Sequence, residues 1–139
     1  MDSPTDPTQR DKVHTGQYVT IEFGIGPAGL SPAKEYWDSL NDTIRARWFS
    51  CFRHLDNPQR TYGNKQRIKH LKGELYEFKD VSLNTRVFTY RDGNAWVLVS
   101  AFTEKKQQKL ARRVLERALT TMRAMQEQDA LRREKSNED

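Results

Sequence analysis

The chain has 139 residues and 35% hydrophobic residues, which suits one domain with a single core and excludes a wholly disordered protein. It has no apolar run near the roughly 20 residues that cross a bilayer and no signal-peptide pattern at its N-terminus, so we expect a cytoplasmic protein without membrane contact. The single cysteine, Cys51, excludes an internal disulfide and a cysteine-rich zinc site, and the net charge of +5 favours a polyanionic partner.

The first strand is predicted after an N-terminal segment that has no strand or helix pattern. Residues 1–16 are polar and contain proline, so we expect a flexible arm there. From Tyr18 to Gly24 apolar and polar side chains alternate, which predicts a strand. The glycines between Gly24 and Gly29 predict a turn, because their spacing fits neither a dinucleotide-binding loop nor a P-loop.

A helical segment is predicted after this turn. Ser31 and Pro32 mark its start, with the serine hydroxyl as N-cap and the proline at the first helical position. Asn41 and Asp42 can each cap a new helix, so a helical hairpin that breaks after Leu40 competes with one helix of about six turns. In both cases one apolar stripe faces the core: Trp37, Leu40, Ile44, Trp48, Phe52 and Leu55.

Three strands are predicted beyond a polar loop at residues 59–66. They span Leu75 to Val81, Thr85 to Arg91 and Ala95 to Phe102, and Asp92-Gly93-Asn94 between the last two is a hairpin signal. The last strand is almost uniformly apolar, so we expect it inside a sheet, covered on both faces. The other two alternate, which predicts an open face that carries three charged residues, with the glutamate paired to one of the cations: Glu77, Lys79 and Arg86.

One further helix and a tail are predicted at the C-terminus. An apolar stripe recurs at helical spacing from about Gln107 to Glu127, whereas residues 128–139 are charged and unpatterned, so we expect a disordered tail there. The predicted order of strand, two helices, three-stranded meander and helix is an α+β fold with residues 17–127 as its one domain. The stripe has six members: Ala111, Val114, Leu115, Ala118, Met122 and Met125.

Basic residues are concentrated in two blocks of the chain. Residues 59–91 contain eight Lys or Arg and three Asp or Glu, and residues 105–117 contain six and one. Residues 1–58 contain six and eight, a net charge of −2. This segregation is typical of a protein that binds RNA or DNA, although solvated surface cations of an ordinary soluble protein are the alternative. No arrangement of ligand-type residues indicates a metal or another cofactor.

Three segments, taken together, resemble the RelE/HigB superfamily of toxin–antitoxin toxins, in particular its phage-derived HigB-like branch. They are LYEFK (75–79), TRVFTY (85–90) and WVLVSAFTEKKQQK (96–109). Two upstream segments extend the resemblance to about residues 18–125: LNDTIRAR (40–47), which is similar to the break between the family's two helices, and IKHLKGELYE (68–77), which is similar to its entry into the meander.

The resemblance implies a RelE-like fold and a ribonuclease that cuts mRNA in the ribosome without a metal. It also implies inhibition by a cognate antitoxin, which we expect to be a helix-turn-helix DNA-binding protein. Cleavage by the ribose 2′-hydroxyl needs a proton acceptor, positive charge on the phosphorane, and an acid or cation at the leaving 5′-oxygen. Basic side chains are the candidates for all three tasks: Lys69, His70, Lys72, Lys79, Arg86, Lys105 and Lys106.

The resemblance assigns the phosphate contact to Arg86, because a guanidinium fork suits two phosphate oxygens. Lys79 stands where the family usually has arginine, and a lysine cannot make that two-pronged contact. Lys69 and Lys72 match the basic approach to the meander, where crowding by other cations lets a lysine act as a base. His70 is either the general base or an exposed loop residue. The residues expected to bind RNA or the ribosome are Arg67, Lys105, Lys106, Lys109, Arg112 and Arg113.

Two other functions fit the same charge distribution. One is a relative that binds RNA or DNA without cutting it, as a regulator in a phage or mobile element. The other is a structural adaptor whose basic faces bind an acidic protein, a hypothesis that leaves the strand motifs unused. Growth arrest on expression separates the toxin from both, and salt-sensitive RNA binding without arrest favours the regulator.

Overall fold

The computed structural model describes residues 10–56, 68–80, 83–104 and 109–137 as an α+β fold with six strands and three helices. A 3₁₀ turn, Pro27–Gly29, lies in the predicted glycine turn. None of the described helices is long and apolar enough to cross a membrane. The strands are β1 (Lys12–Thr15), β2 (Thr20–Phe23), β3 (Ile68–Lys72), β4 (Leu75–Asp80), β5 (Thr85–Asp92) and β6 (Ala95–Thr103), and the helices are α1 (Pro32–Asp38), α2 (Asp42–Leu55) and α3 (Arg112–Asn137).

All six strands belong to one sheet, in the order β1-β2-β6-β5-β4-β3. Strands β2 and β6 are parallel, with Ile21 opposite Trp96, and the other neighbouring pairs are antiparallel. The prediction that the last strand lies inside the sheet is confirmed, since β6 is buried throughout Ala95–Val99. The predicted Asp-Gly hairpin is confirmed as well: Gly93 joins β5 to β6 with a φ of +61°, which favours glycine.

Helices cover both faces of the sheet. Helices α1 and α2 pack on one face, around Trp48, Phe52 and Leu98, whereas α3 packs on the other, around Leu75 and Tyr90. Each fully buried side chain of this size stabilises the fold by roughly 1.5–3 kcal/mol. The predicted stripe of α3 is buried in its second half and more exposed in its first half. Its buried members are Ala118, Met122 and Met125.

The two N-terminal helices are separate, as the hairpin alternative predicted. Helix α1 ends at Asp38, and the Asn41 side chain accepts a hydrogen bond of 2.9 Å from the backbone N–H of Ile44 at the start of α2. Such an N-cap stabilises a helix start by about 1 kcal/mol. The predicted cap of α1 is wrong in one respect, because Pro32 is at the first helical position but the Ser31 hydroxyl makes no capping hydrogen bond.

The expectation of a flexible arm at residues 1–16 is wrong for its described part, which begins at residue 10. Residues Lys12–Thr15 form β1, which pairs with β2 and extends the sheet at one edge. The segment is ordered because its backbone groups pair with those of β2 across a short hairpin, which the polar composition of residues 1–16 did not predict.

The expectation of a disordered tail at residues 128–139 is also wrong for its described part, residues 128–137. Helix α3 begins at Arg112, later than predicted, and continues to Asn137. Asp129 is only 7% exposed, and it accepts a hydrogen bond of 2.5 Å from the Tyr90 hydroxyl. The helix therefore continues because one of its polar side chains has a buried partner in the sheet.

The meander has one more strand than predicted. Strand β3 pairs with β4 in antiparallel orientation and forms the sheet edge opposite β1. Its burial pattern is irregular, and a shift of register between His70 and Lys72 interrupts the alternation that identifies strands. The polar loop predicted at residues 59–66 lies outside the described residues.

Candidate nucleic-acid interface

Exposed basic residues of β3 and of the start of α3 lie on neighbouring parts of the surface. Lys72 Nζ lies 3.7 Å from Glu116 Oε1, and Glu116 is one helical turn after Arg112 and Arg113. The edge strand therefore lies beside the N-terminal turns of α3. We call five exposed cations of β3, of the first turn of α3 and of the residues just before it the cationic edge: Lys69, Lys72, Lys109, Arg112 and Arg113.

The β3–β4 hairpin positions the lysines of the cationic edge. Gly73 has a φ of +57°, a left-handed conformation that favours glycine at a tight turn. The His70 imidazole is exposed, yet its Nε2 lies 2.7 Å from the carbonyl oxygen of Gly73. This hydrogen bond gives His70 a structural role in the hairpin. Lys69 and Lys72 extend from the same strand into solvent.

Two residues of the predicted open face are buried, so this part of the prediction is wrong. Arg86 Nη1 lies 3.1 Å from Glu77 Oε2, and Arg86 Nε lies 3.1 Å from Glu104 Oε1. The three side chains are 7%, 4% and 8% exposed, respectively. The predicted pairing of Glu77 with a neighbouring cation is confirmed for Arg86. A phosphate could reach this guanidinium only by displacing a carboxylate, so Arg86 is a poor phosphate ligand in this conformation.

Two lysines flank this buried group. In the strand register Lys69 lies opposite Glu77, and Lys79 lies opposite Arg86. Residues opposite one another share a face of the sheet, so all four belong to the face on which α3 packs. Lys69 is exposed and Lys79 is half-buried. The positive charge that a ligand can reach on this face is therefore carried by lysines, with Lys69 at the rim.

Three of the predicted RNA-binding residues, Arg67, Lys105 and Lys106, lie outside the described residues. The structure brings together the other predicted residues on β3 and α3, and it separates Arg86 from solvent. The sequence did not indicate Glu104 as a partner of Arg86. The one signal in the sequence was that Glu104 directly follows the last apolar strand. Solvated residues commonly occupy this position, so the signal did not predict a buried partner.

A second charged cluster, which the sequence analysis missed, lies around Arg10. Its guanidinium donates to Glu22 Oε1 at 3.1 Å, to Asp92 Oδ2 at 2.9 Å and to Asp129 Oδ2 at 2.9 Å. Burial alone would lower the pKa of Arg10, but the hydrogen bond to Asp92 and the other carboxylates raise it above its ordinary value. We call these four residues the Arg10 cluster. It joins the N-terminal segment, β2, the β5–β6 hairpin and α3.

Arginines of the last turns of α3 add to the Arg10 cluster. Arg132 pairs with Asp129, and Arg133 pairs with Asp92. Burial, together with the hydrogen bond to Asp129, raises the pKa of Tyr90. Because each carboxylate already has at least two donors, the Arg10 cluster holds the structure together, and we assign it no ligand.

The described residues contain no group of three or more His, Cys, Asp or Glu side chains that could hold a metal ion. Among known proteins, no family model matches this sequence, and no curated protein matches it either.

Proposed function

We propose that this chain has the RelE-like fold and is the toxin of a type II toxin–antitoxin system, an endoribonuclease that cuts mRNA on the ribosome. The cationic edge is the observation that carries this proposal. Five exposed cations lie on one edge strand, in the first turn of α3 and just before it, an arrangement suited to a phosphate backbone. The described elements run as two strands, two helices, four strands and one helix, an order that contains the one the resemblance implies and supports the same proposal.

In this proposal the lysines supply the charge for cleavage. The 2′-hydroxyl attacks the phosphorus and gives its proton to a lysine that acts as the base, while nearby positive charge stabilises the phosphorane. A second lysine protonates the 5′-oxygen as the P–O5′ bond breaks, which leaves a 2′,3′-cyclic phosphate and a 5′-hydroxyl. Lys69 and Lys79 lie on the same face of the sheet, and Lys72 follows at the hairpin. Arg86 acts from the interior, where its contact with Glu77 fixes the relative positions of β4 and β5. His70 is held by the Gly73 carbonyl and is not assigned the proton transfer.

The proposed partners are the ribosome with its mRNA and a cognate antitoxin with a helix-turn-helix domain. An antitoxin that covers the cationic edge would inhibit by competing with RNA for the same lysines. Acidic side chains at such an interface would increase the association rate through electrostatic steering.

A non-catalytic RNA- or DNA-binding regulator of the same fold is the second candidate. One observation favours it: the arginine that the resemblance assigns to the scissile phosphate is paired with two buried carboxylates. A protein that keeps the cationic edge and loses the phosphate contact would bind nucleic acid without cutting it. In this case binding falls steeply with salt, because phosphate contacts release counterions.

Purified chain incubated with an mRNA, with and without ribosomes in a Mg²⁺ buffer that keeps the ribosomes assembled, distinguishes the two candidates. The toxin gives new 5′ ends in the presence of ribosomes, and primer extension locates them. The double variant Lys69→Ala/Lys72→Ala gives none, whereas Lys12→Ala on the opposite edge strand cuts like the wild type. Salt-sensitive mRNA binding without new 5′ ends, with or without ribosomes, would reject the nuclease and support the regulator.

A further inference from the structure

A row of three aromatic rings crosses the sheet on the face that α1 and α2 cover. The His70 and Tyr76 rings are 5.1 Å apart in an edge-to-face arrangement, and the Tyr76 and Trp96 rings are 5.5 Å apart in the same arrangement. The Arg91 guanidinium carbon lies 4.8 Å from the centre of the Trp96 ring. We call these four residues the aromatic row. It extends from the edge strand β3, across β4, to β5 and β6.

The small side chain of Thr89 lets the two central rings meet. Tyr76 and Trp96 belong to β4 and β6, which are separated by β5, and Thr89 of β5 lies opposite Tyr76. The Thr89 hydroxyl donates to the backbone oxygen of Val97 at 2.8 Å, so it bonds to the neighbouring strand. A larger residue at this position would fill the space through which the rings make contact.

Exposure within the aromatic row is highest at its ends. His70 and Arg91 are exposed, Tyr76 is half-buried, and Trp96 is 6% exposed. The indole Nε1 of Trp96 is buried and has no hydrogen-bond partner among the described residues, an arrangement that costs free energy until an acceptor is supplied. The Arg91 Nε donates to the Gly93 backbone oxygen at 2.9 Å, which anchors this end of the row in the β5–β6 hairpin.

We propose that the aromatic row binds a base of single-stranded RNA, which stacks on the Tyr76 ring and the Arg91 guanidinium. Aromatic rings and arginine planes on a sheet surface are the usual base-stacking groups, and every base has a carbonyl oxygen or ring nitrogen that can accept from a buried indole. The inference rests on the proposed function because it takes RNA as the ligand. The aromatic row favours RNA over an acidic protein as the ligand. Its rings and guanidinium match the flat faces of nucleic-acid bases, and a peptide backbone has no such face.

The cationic edge and the aromatic row meet at β3. Lys69 and His70 are consecutive residues of this strand, so their side chains point to opposite faces of the sheet. An RNA strand that crosses the edge at β3 contacts phosphate-binding lysines on one face and the aromatic row on the other. Phosphate contacts then provide most of the affinity, and the aromatic row provides the part that depends on bases.

Binding of two oligonucleotides separates these contributions. One is an oligouridylate of about eight nucleotides, a length typical for a single-strand binding site, and the other is the same sugar–phosphate chain without bases. The readout is the ratio of their dissociation constants, which loss of folded protein does not change. Wild type should bind the oligouridylate more tightly. Tyr76→Ala should reduce this preference roughly five-fold or more, and Arg91→Ala should also reduce it.

Two variants serve as controls for this experiment. Tyr76→Phe retains the ring and should retain the preference for bases. Tyr18→Ala removes an exposed tyrosine of the β1–β2 turn, outside the row, and should leave the ratio unchanged. Equal ratios in wild type and in folded Tyr76→Ala would overturn the inference and leave the row as a packing or protein-contact surface. Failure of the wild type to bind either oligonucleotide would also overturn the inference, whereas the proposed function is tested separately by cleavage of mRNA in the presence of ribosomes.

Discussion

Arg86 and Glu77 form a buried ion pair on adjacent strands, with Nη1 3.1 Å from Oε2. Glu104 holds the same guanidinium from the end of β6, so one cation lies between two carboxylates. This arrangement changes the role of the residue that the sequence marked as the phosphate ligand. Removal of Arg86 would disturb the fold as well as any RNA contact, so a loss of activity in this variant would not identify a catalytic residue.

Arg86→Ala should lower the free energy of unfolding by about 3–5 kcal/mol, because two carboxylates lose their buried partner. Glu104→Gln should cost less, since Arg86 keeps Glu77. Arg53→Ala, at an exposed arginine of α2, is the control and should change stability by less than about 0.5 kcal/mol. Urea unfolding of the three variants measures these values. An Arg86→Ala protein as stable as the control would contradict the buried group.

Arg10→Ala should destabilise the protein by about 2–4 kcal/mol, because the variant loses three hydrogen-bonded ion pairs in a largely buried position. Lys34→Ala removes an ion pair to Asp11 in which both side chains are about half exposed, and it should cost less than about 1 kcal/mol. Urea unfolding compares the two directly. A similar, small loss in both variants would show that the N-terminal segment contributes little to stability.

Two truncations test the C-terminal part of α3. Removal of residues 128–139 deletes Asp129 and leaves Tyr90 and Arg10 without this carboxylate. We expect a loss of several kcal/mol, typical of buried polar groups that lose a charged partner. Removal of residues 134–139 keeps Asp129, Arg132 and Arg133 and should have little effect. Thermal unfolding of both forms gives the comparison, and equal midpoints would mean that the last turns are dispensable.

Asp56 should make folding stability depend on acid pH. Burial alone would raise its pKa, but backbone N–H groups of Val19, Tyr18 and Gln17 donate to the carboxylate at 2.7–2.8 Å and hold the pKa below its ordinary value. A lowered folded pKa stabilises the protein above the unfolded value, about pH 4, and this stabilisation is lost as pH falls through the folded pKa.

The variant Asp56→Asn isolates this effect. It should be less stable than the wild type at neutral pH, because a neutral amide oxygen replaces the carboxylate that accepts the three N–H groups. The difference should shrink as pH falls below about 4. Urea unfolding across this range measures it. A difference that stays constant with pH would show that the charge of Asp56 does not contribute.

Salt dependence tests the cationic edge. Each cation that contacts a phosphate of single-stranded RNA contributes about 0.7 to the slope of log Kd against log salt concentration. Lys69→Ala and Arg113→Ala should each reduce the slope by about this amount. Lys12→Ala should leave it unchanged, because Lys12 is exposed on the opposite edge strand. Equal slopes in all three variants would show that RNA binds to another part of the protein surface.

Much of the architecture follows from periodicity in the sequence. Alternation at period two identified β2, β4 and β5, and the almost uniformly apolar run of β6 indicated its place inside the sheet. The Asn41 cap indicated the break between α1 and α2. These features depend on residues close together in the chain, which is why local patterns predict them.

Other features depend on contacts that local patterns do not contain. Arg10 and Asp129 are polar residues in polar segments, and their burial follows from a contact between parts of the chain 119 residues apart. The alternation around Arg86 separated the two faces of β5 correctly. It did not show that Arg86 would be buried between Glu77 and Glu104, because the pattern of one strand carries no information about the residues that pack against it.

The most direct test of the central claim is a map of mRNA 5′ ends in bacteria that express the chain without an antitoxin. Cells with the wild type or Lys12→Ala should stop growing and accumulate codon-phased cuts. Cells with Lys69→Ala/Lys72→Ala should grow and keep their mRNA intact, with equal amounts of soluble protein. Codon-phased cuts in the double variant at the wild-type level would contradict the role of the cationic edge. Normal growth with intact mRNA in cells that contain soluble wild-type protein would contradict the nuclease itself.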